Sequence, residues 1–314
     1  MGERRHIYGP VPSRRLGFSL GVDIIPFKTC TLDCIYCQLG STPKTVSRRG
    51  SWFPPGEILA QIKEAVESGQ QIDVITFSGS GEPTLNRDIG RIIRAIKKMT
   101  RIPVAVLTNG TLLTRKEVRR DLAAADIVVP SLDAAHGNLF RRVNRPNRAL
   151  DSKRIIDGLV RFRKEFRGEI WLEVMLIKGV NDSPAHIEAL RRAANRIRPD
   201  RIQLNTVVRP PADVKAKPLS PRAMRKIRDA LGPRAEIIAS FERRGQAPAA
   251  GDFEAALLTA VGRRPMTVED ISLSLGRHRD EVLKALSSLL GRREVRKTVH
   301  GDKTYFARAR SRLY

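Results

Sequence analysis

Val74-Ile75-Thr76-Phe77-Ser78-Gly79-Ser80-Gly81-Glu82-Pro83-Thr84 holds one full step of the architecture, and the rest of the chain repeats it. Its first four residues are apolar or β-branched and run into a glycine-rich bend, as a short buried strand does. Beyond the bend, Ile89, Ile92, Ile93 and Ile96 recur at the spacing of one helix face.

Downstream, Val104-Ala105-Val106-Leu107 reads as a strand ending in Thr108-Asn109-Gly110, followed by a polar helix. The strand Ile127-Val128-Val129 ends in Ser131-Leu132-Asp133. Helix 152–165 precedes a strand from Ile170 to Ile177, helix 184–196 precedes one from Arg201 to Val207, and helix 221–230 follows. Upstream, Gly21-Val22-Asp23-Ile24-Ile25-Pro26 reads as the first strand. Pro54-Pro55 then opens a helix striped by Ile58, Leu59, Ile62, Ala65 and Val66. Six rounds of strand and helix imply parallel strands with helical crossovers. Without a clear seventh and eighth, they predict an α/β fold, a partial (β/α)6 TIM-like barrel that stays open. Such folds place their chemistry at the carboxyl ends of the strands.

Between the first strand and its helix lies Cys30-Thr31-Leu32-Asp33-Cys34-Ile35-Tyr36-Cys37, with the only three cysteines of the chain. Three closely spaced thiols without a fourth suit a metal centre that keeps one position open. The alternative is structural zinc with a distant histidine as fourth ligand. None of the five histidines (6, 136, 186, 278 and 300) lies inside or beside this loop. Ahead of the first strand, Tyr8-Gly9-Pro10-Val11-Pro12-Ser13-Arg14-Arg15-Leu16-Gly17 is too rich in Pro and Gly for a helix. Arg14 and Arg15 there are either solvated or placed to bind a carboxylate or phosphate. On the fifth strand Trp171, Glu173 and Met175 alternate with Ile170, Leu172 and Val174. Glu173 in so apolar a run is costly unless paired. It is expected to face a wet barrel interior with Gln203 and Asn205.

The cysteine loop, with an aromatic residue before its last cysteine, resembles that of the radical S-adenosylmethionine (SAM) superfamily. Gly79-Ser80-Gly81-Glu82 resembles the Gly-Gly-Glu motif of that superfamily, with Ser80 in place of the first glycine of the pair. The resemblance implies a [4Fe-4S] cluster on Cys30, Cys34 and Cys37 whose open iron chelates SAM. Reductive cleavage of SAM then gives a 5′-deoxyadenosyl radical, and a reductant such as flavodoxin or ferredoxin is implied. It also implies SAM contacts from Tyr36, Ser80, Gly81, Glu82, Thr108, Asn109, Ser131 and Asp133. Glu173 and Asn205, further down the interior, are added as candidate cofactor contacts. Residues 203–211, Tyr8 to Gly17 and Asn144-Arg145-Pro146 look like the wyosine-tRNA synthesis branch. Those enzymes carry a second cluster on further cysteines, which this chain lacks.

The chain of 314 residues has 58 Lys and Arg against 33 Asp and Glu, a formal charge of +25. So strong a field attracts polyanions, nucleic acid above all; a bias of genome composition is the bland alternative. No run of about eighteen apolar residues is available to span a membrane. The start of the chain lacks the apolar stretch of a secretory signal, and an oxygen-sensitive cluster asks for a reducing interior. A cytoplasmic location is therefore expected. Residues 1–242 are assigned to the barrel, 243–251 to a linker and 252–314 to a second domain. In the last, a short helix from Phe253, helix 268–275 capped by Thr267 and Asp270, and helix 279–290 precede a hairpin around His300-Gly301-Asp302-Lys303. Helix 279–290 is expected to bury Val282, Leu283, Leu286, Leu289 and Leu290. Three helices and a hairpin spell a winged helix-turn-helix with 13 basic against 8 acidic residues. Arg277, Arg279, Lys284, Arg296, Lys297 and Lys303 are its candidate RNA contacts, and a polypeptide is its alternative partner. The reading is thus a radical SAM enzyme acting on RNA or tRNA. A peptide- or protein-modifying radical enzyme and an iron–sulfur transcriptional regulator are the alternatives.

Overall fold

A computed structural model describes residues 5–13, 15–238 and 253–309. The expected linker at 243–251, the boundary at 242 and Arg14 lie outside the described residues.

The chain builds one eight-stranded sheet in sequence order. β1 (Ile7–Ser13) and β2 (Gly17–Val22) pair antiparallel. Then come α1 (Pro55–Glu67), β3 (Val74–Phe77), α2 (Ile89–Met99), β4 (Val104–Thr108), α3 (Lys116–Leu122) and β5 (Ile127–Pro130). They are followed by α4 (Gly137–Asn144), α5 (Ser152–Glu165), β6 (Glu169–Leu176), α6 (Pro184–Ile197), β7 (Arg201–Thr206), α7 (Pro221–Leu231) and β8 (Ala235–Ile237). From β2 to β8 every neighbouring pair is parallel. Among the described residues the two edge strands, β1 and β8, do not pair, so the barrel stays open.

Two strands exceed the six read from the sequence. The Pro-rich leading segment is itself a strand, with Pro10 and Pro12 on a sheet edge where a missing N–H is harmless. The first parallel strand is Gly17–Val22 rather than 21–26. Its register with β3 runs from Ser19 opposite Val74 to Val22 opposite Phe77, which fixes its extent. Ile24 and Ile25 are buried, but in the loop beyond the strand.

Alternation divides each strand between two environments. On β6, Ile170, Leu172, Val174 and Leu176 pack against the helices, while Trp171 and Met175 face the interior. In α2 the four isoleucines of the stripe are fully buried. Each contributes about 1.5–3 kcal/mol of transfer free energy. Gly21 on β2 lies under the Tyr8 ring, where a Cβ would meet it at 2.1 Å.

The C-terminal residues form α8 (Phe253–Arg263), α9 (Val268–Leu275), α10 (Arg279–Gly291) and an antiparallel hairpin of β9 (Val295–His300) and β10 (Lys303–Arg308). Thr267 and Asp270 complete the capping box of α9. Leu257, Ile271, Val282, Leu286, Leu289 and Phe306 share a core of their own. Leu283 departs from the expected stripe and is exposed, since Val282, Ala285, Leu286 and Leu289 already face that core.

Candidate cluster and SAM site

The Cys30–Cys37 loop leaves the top of β2 and is stitched down along its length. Ile35 N donates to Val143 O and Asp33 N to Asn144 O, both at 3.0 Å, and Asn147 N donates to Thr31 O at 3.0 Å. From the other side the glycine-rich bend grips it. Lys28 N donates to Ser80 O at 2.7 Å and Glu82 N to Thr29 O at 3.0 Å. Gly81 is required here, because a Cβ would sit 2.0 Å from the Thr29 carbonyl oxygen.

Each thiol faces a side-chain N–H. Lys28 Nζ lies 3.2 Å from Cys37 Sγ, Asn144 Nδ2 3.3 Å from Cys34 Sγ, and Asn109 Nδ2 3.5 Å from Cys30 Sγ. Burial, and next the Glu82 carboxylate, pushes the Cys30 thiol up to about 12. Burial and then Asp133 push Cys34 up as well. Bound iron inverts that balance, because its positive charge ionises a coordinating thiol. Among the described residues no three His, Cys, Asp or Glu side chains converge as they would round one metal ion. A four-iron cluster asks instead for thiols at separate corners, each with room for a donor to its sulfur, so the donor set fits it.

Most of the residues assigned to SAM come together in two hydrogen-bonded groups, one around Glu82 and one around Asp133. Buried Glu82 accepts on Oε1 from Thr84 N (3.0 Å), Thr84 Oγ1 (2.5 Å) and Thr108 Oγ1 (2.6 Å), and on Oε2 from Asn109 N (2.7 Å). Asn109 Oδ1 accepts from Thr111, which turns Nδ2 toward Thr31 and Cys30. Asp133 is held likewise: Tyr36 Oη donates to Oδ2, Asn144 Nδ2 to Oδ2 at 2.7 Å and Met175 N to Oδ1 at 2.9 Å. Burial still raises the Asp133 carboxyl to about 6. Asp133 therefore holds the loop directly through Tyr36, whereas Glu82 fixes Asn109, whose amide reaches Thr31 and Cys30. A small cavity lined by Leu32, Asn109, Ser131, Asp133, Phe140 and Asn144 lies beside the cysteine loop.

The Glu173 and Asn205 side chains pair with each other, while the Glu173 carbonyl accepts from Leu132 N at 2.9 Å, beside Asp133. Asn205 Nδ2 donates to Glu173 Oε1 at 3.2 Å, and Arg15 Nη1 reaches Glu173 Oε2 at 3.0 Å and Gln203 Oε1 at 3.3 Å. The carboxylate expected in a wet interior is thus neutralised by the chain's own arginine. Ser80 turns away from the loop, its Oγ donating to Asp23 Oδ2 at 2.5 Å.

Lys28 and Asn144 are site residues to which sequence reasoning gives no role at the cysteines. Asn144 stands inside a motif quoted only for its family likeness. Lys28, two residues before Cys30, gives no signal, since a lysine in a loop reads as solvated.

A radical SAM superfamily profile matches residues 24–193. A UPF0026 protein of Methanocaldococcus jannaschii is 34% identical over 223 residues, covering 70% of this chain and 69% of that protein. A UPF0026 protein of Helicobacter pylori is 33% identical over 297 residues, covering 92% and 93%. A protein of Brachyspira hyodysenteriae named GTPase Obg is 39% identical over 298 residues, and the match takes in 94% of this chain but 44% of that protein. This chain has no Gly-Lys pair and hence no phosphate-binding P-loop. Among solved structures, a radical SAM methyltransferase of Sphaerobacter thermophilus aligns at a TM-score of 0.52 and 22% identity, covering 70% of this chain and 65% of that one. SuiB of Streptococcus suis, bound to its precursor peptide SuiA, aligns at 0.52 and 20%, covering 69% and 46%. At such identities the likeness is one of fold. The two relatives above that this chain covers over more than two thirds of their length stand under UPF0026 rather than under the wyosine enzymes. With its three-cysteine loop, parallel open barrel and matching profile, the chain belongs to the radical SAM superfamily beside the UPF0026 proteins, as an enzyme whose cofactors are a [4Fe-4S] cluster and SAM.

Proposed function

We propose that this radical SAM enzyme modifies RNA, with tRNA the first candidate, and that its C-terminal unit is a winged helix-turn-helix that holds the polyanion. One observation carries the reading. Arg279 and Lys284 on α10, with Arg296, Lys297 and Lys303 on the hairpin, are all exposed, on a unit that is docked on the barrel. A chain of charge +25 adds the long-range attraction. The likeness of Tyr8 to Gly17, Asn144 to Pro146 and 203–211 to the wyosine branch supports tRNA in particular.

When bound and reduced, the cluster supplies the electron that cleaves SAM to a 5′-deoxyadenosyl radical. Cys30, Cys34 and Cys37 would hold it. The 79–82 bend, Asn109 and Ser131 would border SAM, while Glu82, Tyr36 and Asp133 keep those groups in place. Glu173, Asn205 and Arg15 make a charged floor that fixes the interior below them. The reductant is a flavodoxin or ferredoxin.

The full-length protein, reconstituted anaerobically, is to be assayed for 5′-deoxyadenosine and for tRNA binding against salt. Binding should weaken steeply as salt rises, through release of counterions. Arg279→Ala with Lys303→Ala should lower the slope by about 1 for each phosphate no longer neutralised, with substrate-free SAM cleavage unchanged. Salt-insensitive binding, or none, would overturn the RNA reading and favour a polypeptide.

A further inference from the structure

We propose that Lys28, Asn109 and Asn144 set the redox poise of the cluster, each donating one side-chain N–H to a different cysteine sulfur. The inference rests on the cluster assignment and adds to it residues that poise the centre. The three donors arrive from separate parts of the fold: Lys28 from the loop after β2, Asn109 from the end of β4, Asn144 from the end of α4. Two of them are oriented by partners that leave no choice. Asn109 Oδ1 is taken by Thr111 N and Oγ1, at 3.1 and 2.7 Å. Asn144 Nδ2 must face Asp133, whose ionised carboxylate only accepts, and so it also faces Cys34.

Lys28 makes the stronger case. It is 8% exposed, and its backbone is held at a φ of 59°, in the left-handed region that a side chain of this kind rarely adopts. Nζ donates to Gly40 O at 2.6 Å and to Cys37 Sγ at 3.2 Å. No Asp or Glu of the described residues is ion-paired with it. A buried ammonium without a counter-charge is expensive. The Cys37 thiolate formed when iron binds is the counter-charge this position is built for.

The physical effect has a definite sign. Taking one electron from a carrier of the flavodoxin or ferredoxin class makes the cluster more negative by one charge and leaves the donor oxidised by one. N–H groups and a cation at the sulfurs stabilise the reduced form, so they raise the potential. Burial of the loop works the other way. The three donors bring the centre within reach of a physiological carrier.

The test is a spectroelectrochemical titration, read by electron paramagnetic resonance, of the reconstituted full-length protein without SAM. Lys28→Met and Asn144→Leu should each keep their iron and move the midpoint to more negative values. For Lys28→Met the expected shift is at least a tenfold change in the reduction equilibrium, 59 mV for a one-electron couple. Lys28→Arg, which keeps charge and donor, should stay near the parent. Unchanged midpoints in iron-replete Lys28→Met and Asn144→Leu would overturn the proposal. The unmutated protein supplies an independent readout. Its reduced cluster should show strongly coupled protons that vanish in deuterium oxide and come from side chains, traced by 15N-lysine and 15N-asparagine labelling. Absence of those 15N couplings overturns the proposal even if a variant fails to fold. Iron content and 5′-deoxyadenosine formation test the cluster assignment separately, so the two failures are distinguishable.

Discussion

Arg263, the last residue of α8, donates from Nη1 to Asp23 Oδ2 at 2.5 Å, and its guanidinium lies 4.2 Å over the Tyr8 ring. The same Asp23 oxygen accepts from Ser80 of the glycine-rich bend. A residue of the C-terminal unit is therefore two hydrogen bonds from the stretch that holds the cysteine loop. Tyr305 Oη, donating to Val208 O at 2.6 Å, and His300 Nε2, 3.2 Å from Val207 O, anchor the hairpin to the segment after β7. The unit thus touches β1 and the segment just after β2 on one side of the sheet, and the loop after β7 near the other.

The first prediction follows from that contact. The Arg263 and Asp23 side chains are 15% and 9% exposed. Removing one partner of so shielded a pair costs on the order of 3 kcal/mol. Arg263→Met should raise amide exchange across 253–309 and in β1 while iron content stays constant. Unaltered exchange in that variant would show that the contact contributes nothing to docking. Sequence composition suggests two separable pieces. This contact predicts instead that a barrel cut free of its C-terminal unit cleaves SAM more slowly than the full chain.

Cys34→Ala should abolish both iron binding and SAM cleavage, because a three-thiol cluster has no spare protein ligand. The parent should bind about four irons per chain under anaerobic reconstitution. One zinc and no iron under the same conditions would mean that the loop is a structural metal site.

Glu82→Gln tests the bracing role of that carboxylate. Its four donors leave no place for an amide NH2, which would face either Asn109 N or the Thr84 and Thr108 donors. A buried donor without an acceptor costs about 1–3 kcal/mol. The variant should melt earlier and bind SAM more weakly, since Asn109 is displaced with it. Unchanged melting and unchanged SAM affinity together would reduce Glu82 to a turn residue.

Asp133 gives the protein without its cluster a pH dependence of known sign. Its folded-state value, about 6, lies above the ordinary 3.8, because burial disfavours the charge. A group with a raised folded value stabilises fully below its unfolded value, and the contribution fades as pH rises through the folded one. The contribution of Asp133, about 3 kcal/mol at most by linkage, should therefore be present near pH 4 and gone above about pH 7. Denaturant titrations of parent and Asp133→Asn should show a stability difference that drifts toward the variant as pH rises. A difference that is flat with pH would mean that folding does not raise the Asp133 value.

The sequence alone determined what is local. Hydrophobic period marked the βα units, because helix and strand faces repeat at fixed intervals in the chain. Spacing of Cys30, Cys34 and Cys37 marked the cluster loop, because its three ligands lie within eight residues. The same holds for the Thr267–Asp270 capping box and for the hairpin turn at 301–302. Only tertiary structure decided the rest. β1 hides behind prolines because pairing, rather than propensity, makes it a strand. Arg15 finds Glu173 across 158 residues of chain, and Asn144 finds Cys34 across 110. Lys28 is close to Cys37 in sequence yet turns to it only because Ser80 and Gly40 hold its backbone and its ammonium. Contacts of this kind are set by how strands close up around an interior. That closure depends on all the packing at once and leaves no periodic mark at the residues it brings together.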